Sequence, residues 1–371
     1  NGSEANLPLN PPQLIQVTLD RVAGGPPPLR LSDAIPSGIL SNYDSRTVGL
    51  RTREANFPNA TIYQWNTALQ FLLPAAFTFE AAYVGNTGRN LFALWERNQT
   101  AFGVDGTIAA NRPYPQWRSI QTGAARAQSR YNALQTKLER RFTKGLFVLA
   151  SYTWASAMDE AGAWDAGNGT QTFDNFRAER GPQAQTPRQR LSLSGVYQLP
   201  FSKKAPPLVR AALGGWQLGH IVTMRTGLPV NVSLPANGVD PNTGVRFTFL
   251  GRNGGTLRPD RVGNPQTGID PHVDRFNFLD PAAFRVQAPN TPGNSSRNVA
   301  RGPGFTNFDV NLVKRFRIGE RYSAEFRGDV FNLANHTNFR SPNASFTATN
   351  FGVIDNAYDP RVMQMALRFR F

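Results

Sequence analysis

The chain has 371 residues, a formal net charge of +15 and no cysteine, and only 18% of its residues are charged. The lack of cysteine excludes disulfides, thiolate metal sites and cysteine nucleophiles. No apolar run approaches the ~20 residues of a membrane-spanning helix, which excludes a helical membrane protein but not a β-barrel, because barrel strands hide their apolar residues by alternation.

The first part of the chain is rich in Pro, Asn and Gly. Residues 1–60 predict the end of one strand, at Leu14–Leu19, followed by a long loop. The chain begins Asn1-Gly2-Ser3 with no signal peptide, so we interpret it as the C-terminal piece of a longer precursor. A strong hairpin follows, with strands near 62–73 and 76–85.

Three further hairpins and a closing strand complete the pattern. Their strands are predicted near 130–142, 146–156, 189–199, 215–227, 307–317, 321–332 and 362–371. Apolar residues alternate with polar ones along each strand. In the nine residues from Met363 to Phe371, every odd position is apolar. A tilted strand needs about 9–11 residues to cross the hydrocarbon layer of a bilayer.

The predicted connections alternate in length. Short ones fall at 74–75, 143–145, 200–213 and 318–320, and long ones at 85–128, 157–187, 229–305 and 333–361. Nothing in a soluble sandwich requires all long loops to lie at one end, whereas outer-membrane barrels have short periplasmic turns and long extracellular loops. We therefore predict an all-β, antiparallel transmembrane β-barrel portion, residues 61–371, with a periplasmic C-terminus in the bacterial outer membrane.

The polar face of each strand is predicted to line the lumen, because a basic residue at the bilayer midplane costs ~2–4 kcal/mol. The predicted lumen-facing residues are Gln64, Asn66, Gln70, Gln135, Lys137, Glu139, Arg141, Arg190, Glu325, Arg327, Asp329 and Arg368. If the last two strands are antiparallel neighbours, Glu325 lies near Arg368. The two side chains then either form a cross-strand ion pair or remain separate and only keep the lumen wall hydrated.

A net positive charge of this size is also typical of proteins that bind nucleic acid. The arginines are scattered, and the longest basic runs are pairs such as Arg140-Arg141 and Lys203-Lys204. We therefore expect no nucleic-acid partner. In a barrel these charges lie on lumen walls, turns and loops, where they meet water or the anionic head groups of outer-membrane lipid and lipopolysaccharide.

Several stretches resemble one family. They are Tyr131-Asn132-Ala133-Leu134-Gln135, Leu138-Glu139-Arg140-Arg141-Phe142, Ala150-Ser151-Tyr152-Thr153-Trp154, Gly214-Gly215-Trp216-Gln217-Leu218 and Asp359-Pro360-Arg361. Together they resemble TonB-dependent outer-membrane receptors, in particular the Oar-like type with an N-terminal carboxypeptidase-regulatory-like domain. The resemblance spans 55–371 and implies about ten C-terminal strands of a barrel of about 22. The plug domain and TonB box that the family carries are absent from this chain.

The resemblance implies import of a bulky solute across the outer membrane, energised by the TonB complex through the N-terminal region, without covalent catalysis. Siderophore, glycan, peptide and cobalamin receptors share this architecture. The alternative is a non-transporting surface protein whose barrel anchors loops for adhesion. A third possibility, a soluble β-sandwich binding module, would be extracted without detergent.

No catalytic set is evident. His220, His272 and His336 are isolated in the sequence, and nothing resembles a nucleophile elbow, so we expect neither an enzyme nor a cofactor. The acidic loop residues Asp159, Glu160, Asp165 and Asp174 either hold Ca²⁺ with loop carbonyls or are simply solvated.

The chain ends on an aromatic residue. Phe369 and Phe371 alternate with arginines, and this ending resembles the signal that the barrel assembly machinery recognises. The alternative is that both rings only pack against lipid. Both roles are compatible.

Overall fold

The computed structural model describes residues 49–371 apart from 106–107, 161–170, 172–174, 202–205, 207–208, 210–211, 235–256 and 319–321. The predicted strand end at Leu14–Leu19 and the basic pair Lys203-Lys204 lie outside the described residues. In the described part the strands are β1 (Gly49–Arg53), β2 (Thr61–Leu73), β3 (Phe77–Glu96), β4 (Ser119–Thr143), β5 (Leu146–Asp159), β6 (Gly181–Pro182), β7 (Gln189–Gln198), β8 (Trp216–Arg225), β9 (Pro229–Val230), β10 (Asp260–Arg261), β11 (Phe284–Arg285), β12 (Ala300–Arg301), β13 (Phe305–Ile318), β14 (Tyr322–Phe331) and β15 (Val362–Arg370).

The main element is an 11-stranded sheet within the described residues, in the order β15-β14-β13-β8-β7-β5-β4-β3-β2, with β1 and β6 added at its side. Neighbours along this path pair antiparallel. The predicted antiparallel all-β fold is confirmed. Because successive strands run in opposite directions, their connections alternate between two rims, which we call the short rim and the long rim.

The short rim carries tight reversals. One is the 3₁₀ turn Pro74–Ala76, in which Ala75 and Ala76 have φ of 61° and 62°. A second joins β4 to β5 through Lys144 and Gly145, with φ of 50° and 79°. Two central residues with positive φ match the right-handed twist of the flanking strands, so this turn closes a hairpin without splaying it.

The long loop predicted at 85–128 is wrong in part, because β3 continues to Glu96 and β4 already begins at Ser119. The residues of these extensions show little strand-like alternation, so their pattern did not predict strands. The two strands pair there through backbone hydrogen bonds and small side chains. Ala124 and Ala127 are fully buried and pack with Phe176 of the next connection. At 25 residues β4 spans roughly 80 Å, so it extends well beyond a bilayer.

The loop predicted across residues 1–60 also contains a strand in its described part. β1 pairs in parallel with the start of β4, from Gly49 opposite Ser119 to Arg53 opposite Gly123. On that side of β4, pairing with β5 begins only at Ser129. The first residues of β4 therefore have a free edge, and β1 satisfies its backbone groups.

The connections 226–304 and 332–361, predicted only as long loops, fold together in their described parts around a shared apolar core. We call residues 226–234, 257–304 and 332–361 the loop cap. Its buried residues are Val230, Val232, Phe278, Leu279, Ala283, Phe284, Ala300 and Ile354, with Phe339, Phe346 and Phe351 packed against them. Backbone bonds such as Phe346 N–H to Ser233 O, at 2.8 Å, join the two connections. No helix in the described residues is long and apolar enough to cross a membrane.

Candidate functional site: a polar sheet face beneath the loop cap

The strand register decides which side chains share a face of the sheet, because directly opposed residues point to the same side. Gln70 opposes Glu80, Glu80 opposes Lys137, and the chain of pairs continues to Arg368. The register thereby brings together Gln64, Asn66, Gln70, Gln135, Lys137, Glu139, Arg190, Glu325, Arg327, Asp329 and Arg368. We call this side the polar face. Arg141 lies where the register with β5 shifts, between Arg140 and Thr143.

The opposite side, the apolar face, exposes large hydrophobic side chains. Met365 is 77% exposed and Leu367 is 60% exposed, both on β15. Other exposed members are Tyr63, Trp65, Leu69, Phe71, Tyr83, Leu134, Trp154, Tyr197, Leu218, Met224, Leu312, Phe316, Tyr322, Met363 and Phe369. Soluble proteins rarely expose contiguous apolar surface on this scale, whereas lipid tails cover such a face.

Several charges on the polar face have partners within their strand or on a neighbouring strand. Asp329 of β14 accepts hydrogen bonds from Arg327 at 2.8 Å, from Asn311 of β13 at 2.7 Å and from Gln364 of β15 at 3.2 Å. Lys137 pairs with Glu139 at 2.6 Å on β4. The three-strand network around Asp329 holds β13, β14 and β15 in register.

The expected proximity of Glu325 and Arg368 is found, since the two residues oppose each other in the β14–β15 register. The carboxylate of Glu325 nevertheless forms its ion pair with Arg315 of β13, at 2.8 Å. Arg315 opposes Glu325 on the other side, so Glu325 lies between two arginines in the register.

Sequence analysis missed two cations on the apolar face, Arg140 and Lys314. The Arg140 Nε donates to Ala75 O at 3.0 Å, at the short rim. The Lys314 ammonium donates to Ala212 O at 2.9 Å and also to Gly214 O, and its side chain is fully buried. Each cation binds carbonyls of a short-rim connection, which keeps it at the end of the strand and away from the middle. The even-numbered residues that flank each cation in β4 and β13 are apolar, and both cations have even numbers close to a predicted turn. That pattern could have predicted their positions.

An ion pair is buried at the long rim. Arg258 Nη1 lies 2.6 Å from Glu179 Oε2, and the two side chains are 3% and 2% exposed. Gln171 donates its backbone N–H to Glu179 and accepts from the N–H of Arg258 at 2.8 Å. The same Gln171 side chain donates to Gly293 O at 2.8 Å. This cluster ties the connection after β5 to the loop cap, and sequence gave no signal for it because Glu179 and Arg258 are 79 positions apart.

The acidic residues considered for Ca²⁺ have protein partners where they are described. Asp159 pairs with Arg297, and burial lowers the pKa of that guanidinium to about 10, which leaves it charged at neutral pH. Glu160 accepts the backbone N–H of Gln128 at 3.1 Å, and burial raises the pKa of its carboxyl group. Asp165 and Asp174 lie outside the described residues. Across the described ranges, no three His, Asp or Glu side chains group as metal ligands.

The interpretation of all three histidines as isolated is wrong for two of them. The rings of His272 and His336 lie 4.9 Å apart. His272 Nδ1 is 2.8 Å from Asp270 Oδ1, and its Nε2 is 3.0 Å from Thr337 O. Packing within the loop cap makes this contact, which linear spacing does not reveal. The third, His220, lies on the apolar face opposite Gly195.

The chain matches the family model described as an outer membrane beta barrel domain over residues 1–364. Similar solved structures include the outer membrane transporter YddB from Escherichia coli (10% identity, 88% of this chain and 34% of that chain, TM-score 0.48). Others are the ferric-catecholate import receptor Fiu from E. coli K12 (13%, 85% and 28%, 0.39) and BauA, the ferric preacinetobactin receptor from Acinetobacter baumannii (9%, 84% and 29%, 0.39).

The chain thus spans about a third of the length of these structures. No curated protein matches the sequence significantly. The TM-scores lie below 0.5, so the assignment rests on the family model, which covers nearly the whole chain. The chain belongs to the outer membrane beta barrel domain family and is a protein of the outer membrane.

Proposed function

We propose that this chain is the C-terminal barrel portion of a TonB-dependent receptor that imports a bulky solute across the outer membrane. The motifs around Tyr131–Gln135 and Leu138–Phe142 resemble that family. The observation that carries the proposal is the register: polar and charged side chains of the main strands share one continuous face. Arg225 of that face contacts Tyr358 of the loop cap. Such a face suits a hydrated lumen, because the bilayer disfavours it.

In this proposal the loop cap captures the solute and the polar face conducts it. Charge pairs such as Arg315–Glu325 and Arg327–Asp329 keep their part of that wall hydrated. Energy enters through TonB and the N-terminal region of the receptor. No bond of the solute is made or broken, so no catalytic group and no cofactor is required.

We further propose that the short rim is periplasmic and that the C-terminus lies there. β2 and β15 form the two edges of the described sheet. Open edges do not occur in lipid, so we propose that both pair with further strands of a barrel of about 22. Phe369 and Phe371 would then be available to the barrel assembly machinery, and the long rim would meet lipopolysaccharide.

One observation favours the alternative of a non-transporting surface protein that adheres through its loops. A turn of the loop cap exposes Val273 by 83% and Phe276 by 58%. The carboxylates of Asp270 and Asp274 accept backbone N–H groups of His272 and Phe276, at 2.9 and 2.8 Å, which fixes the turn. The hydrogen bond from His272 holds the pKa of the Asp270 carboxyl group below its usual value. The pKa of the Asp274 carboxyl group is lowered by a side-chain hydrogen bond from Asn277 and then by the bond from Phe276. A rigid turn with exposed apolar side chains suits protein contact.

A growth experiment separates the two functions. Wild-type cells, cells lacking this protein and cells lacking TonB would be compared on panels of sole iron, carbon and phosphorus sources, together with a surface-adhesion assay. Loss of growth on the same source in both mutants is expected. Unchanged growth on every source, with adhesion lost only in cells lacking the protein, would reject import and support the alternative.

A further inference from the structure

Two arginines face each other directly on the polar face. Arg190 of β7 opposes Arg225 of β8 in the strand register, at the long-rim end of both strands. Like charges placed directly opposite destabilise a sheet. Within the described residues, neither guanidinium pairs with a carboxylate. The arrangement costs stability and therefore calls for a reason beyond folding.

Three more arginines are linked to this pair by sequence neighbourhood, by charge or through Tyr358. The pKa of Arg301 is lowered by burial and, in addition, by the positive charge of Arg188, which precedes β7. Arg225 Nη2 donates to the hydroxyl of Tyr358 at 3.3 Å, and the guanidinium of Arg340 lies 4.8 Å from the centre of the Tyr358 ring. We call Arg188, Arg190, Arg225, Arg301 and Arg340 the arginine cluster.

The cluster also rests on aromatic rings. Arg225 stacks 5.1 Å from the centre of the Phe305 ring, and Phe305 meets Tyr358 edge-on at 5.2 Å. Stacking orients a guanidinium and leaves its N–H edge available for a ligand. The acidic residues nearest in sequence to these rings, Asp309 and Asp359, form no ion pair in the part of the chain that the structure describes. Asp309 instead accepts from Asn307 and from the backbone of Asn332.

We propose that the arginine cluster and Tyr358 form a binding site for a multiply charged anion bearing carboxylate or phosphate groups. Arginine forks match the geometry of both groups, and a cluster of charges of one sign attracts counter-ions. A bound anion relieves the repulsion between Arg190 and Arg225. The identification of this anion as the imported solute rests on the proposed import function. The binding of the anion does not depend on that function.

The same phosphate chemistry has two sources, a free solute and the phosphorylated head group of lipopolysaccharide. Arg190 and Arg225 of the cluster lie on the polar face, opposite the face that exposes Met365 and Leu367. This placement favours a free solute. Binding assays with both sources distinguish them.

The test uses the intact protein, purified from outer membranes in neutral detergent, and calorimetric titration with inorganic pyrophosphate and with tricarballylate at constant ionic strength. Saturable binding is expected for at least one probe. The double variant Arg190→Gln/Arg225→Gln should bind about tenfold more weakly or worse, the effect of losing roughly 1.4 kcal/mol. Arg285→Gln, which removes an exposed arginine from the loop cap, is the matched control and should bind normally.

The melting temperature without ligand provides a second readout. Arg190→Gln should raise it, because the substitution removes a repulsion, and should reduce the stabilisation that pyrophosphate gives. A lowered melting temperature, unchanged binding by the double variant, or no saturable binding of either probe or of lipopolysaccharide would overturn the site. Binding of lipopolysaccharide in mixed micelles, with no binding of either soluble probe, would overturn the cargo assignment. Binding is measured without transport. A failure of TonB-dependent uptake would therefore reject the proposed import function without rejecting the anion site.

Discussion

Glu325 of β14 lies directly opposite Arg368 of β15, but its carboxylate forms its salt bridge with Arg315 of β13 at 2.8 Å. The three residues belong to three neighbouring strands of the polar face. One carboxylate thus lies between arginines on its two sides, and it pairs with Arg315 rather than with Arg368, one of the two alternatives that the sequence left open.

A pair of double-mutant cycles on Glu325 tests this choice. Coupling between Glu325→Gln and Arg315→Gln should be about 0.2–1 kcal/mol, the range for exposed or cross-strand ion pairs. Coupling between Glu325→Gln and Arg368→Gln should be near zero. The measurement is urea unfolding of the protein in lipid vesicles, and stronger coupling to Arg368 than to Arg315 would refute the observed pairing.

Adjacent residues at the centre of β15 test which face meets lipid. Met365→Arg places a charge on the apolar face and should destabilise the protein by ~2–4 kcal/mol in vesicles. Ala366→Arg adds the same side chain on the polar face and should change the free energy of unfolding by less than about 1 kcal/mol. Equal costs for the two variants would contradict the assignment of the faces.

The buried pair Glu179–Arg258 should be critical for the loop cap. Arg258→Met leaves the Glu179 carboxylate buried without its cation, which costs ~3–5 kcal/mol. We expect faster hydrogen exchange and proteolysis in the loop cap while the sheet stays assembled. Arg285→Met is the control. The exposed Arg285 side chain lies 3.8 Å from the Asp260 carboxylate, and its loss should leave both rates unchanged.

The pH dependence of stability should include a contribution from Glu160. Burial raises the pKa of its carboxyl group in the folded state, so the folded protein binds more protons than the unfolded chain just above the unfolded value of ~4.3. Stability is therefore lost as the pH rises from that value through the folded pKa. Glu160→Gln keeps an acceptor for the Gln128 N–H and should flatten this fall in thermal melts. An unchanged pH profile would argue against it.

Phe371 should matter for assembly in cells. Deleting it removes the terminal aromatic residue, which is fully exposed beyond β15. We expect less protein in the outer-membrane fraction, measured by immunoblot, whereas Phe371→Tyr keeps an aromatic ring and should assemble normally. Normal assembly of the deletion variant would leave Phe371 with a role in lipid packing only.

Sequence alone predicted the alternating strands and the alternation of short and long connections. The reason is local: a strand with lipid on one side and polar surroundings on the other repeats every two residues, as from Met363 to Phe371. The same period placed Lys137, Glu139, Arg327 and Asp329 on polar strand faces. Register then joined those faces across the sheet.

Tertiary structure decided what non-local packing controls. The extension of β3 and β4, the added strand β1 and the core of the loop cap depend on partners far away in the chain. The pairs Glu179–Arg258 and Arg190–Arg225 arise in the same way, one across 79 positions and the other across two paired strands. Period-two alternation carries no information about such partners, because it records only which side of one strand each residue faces.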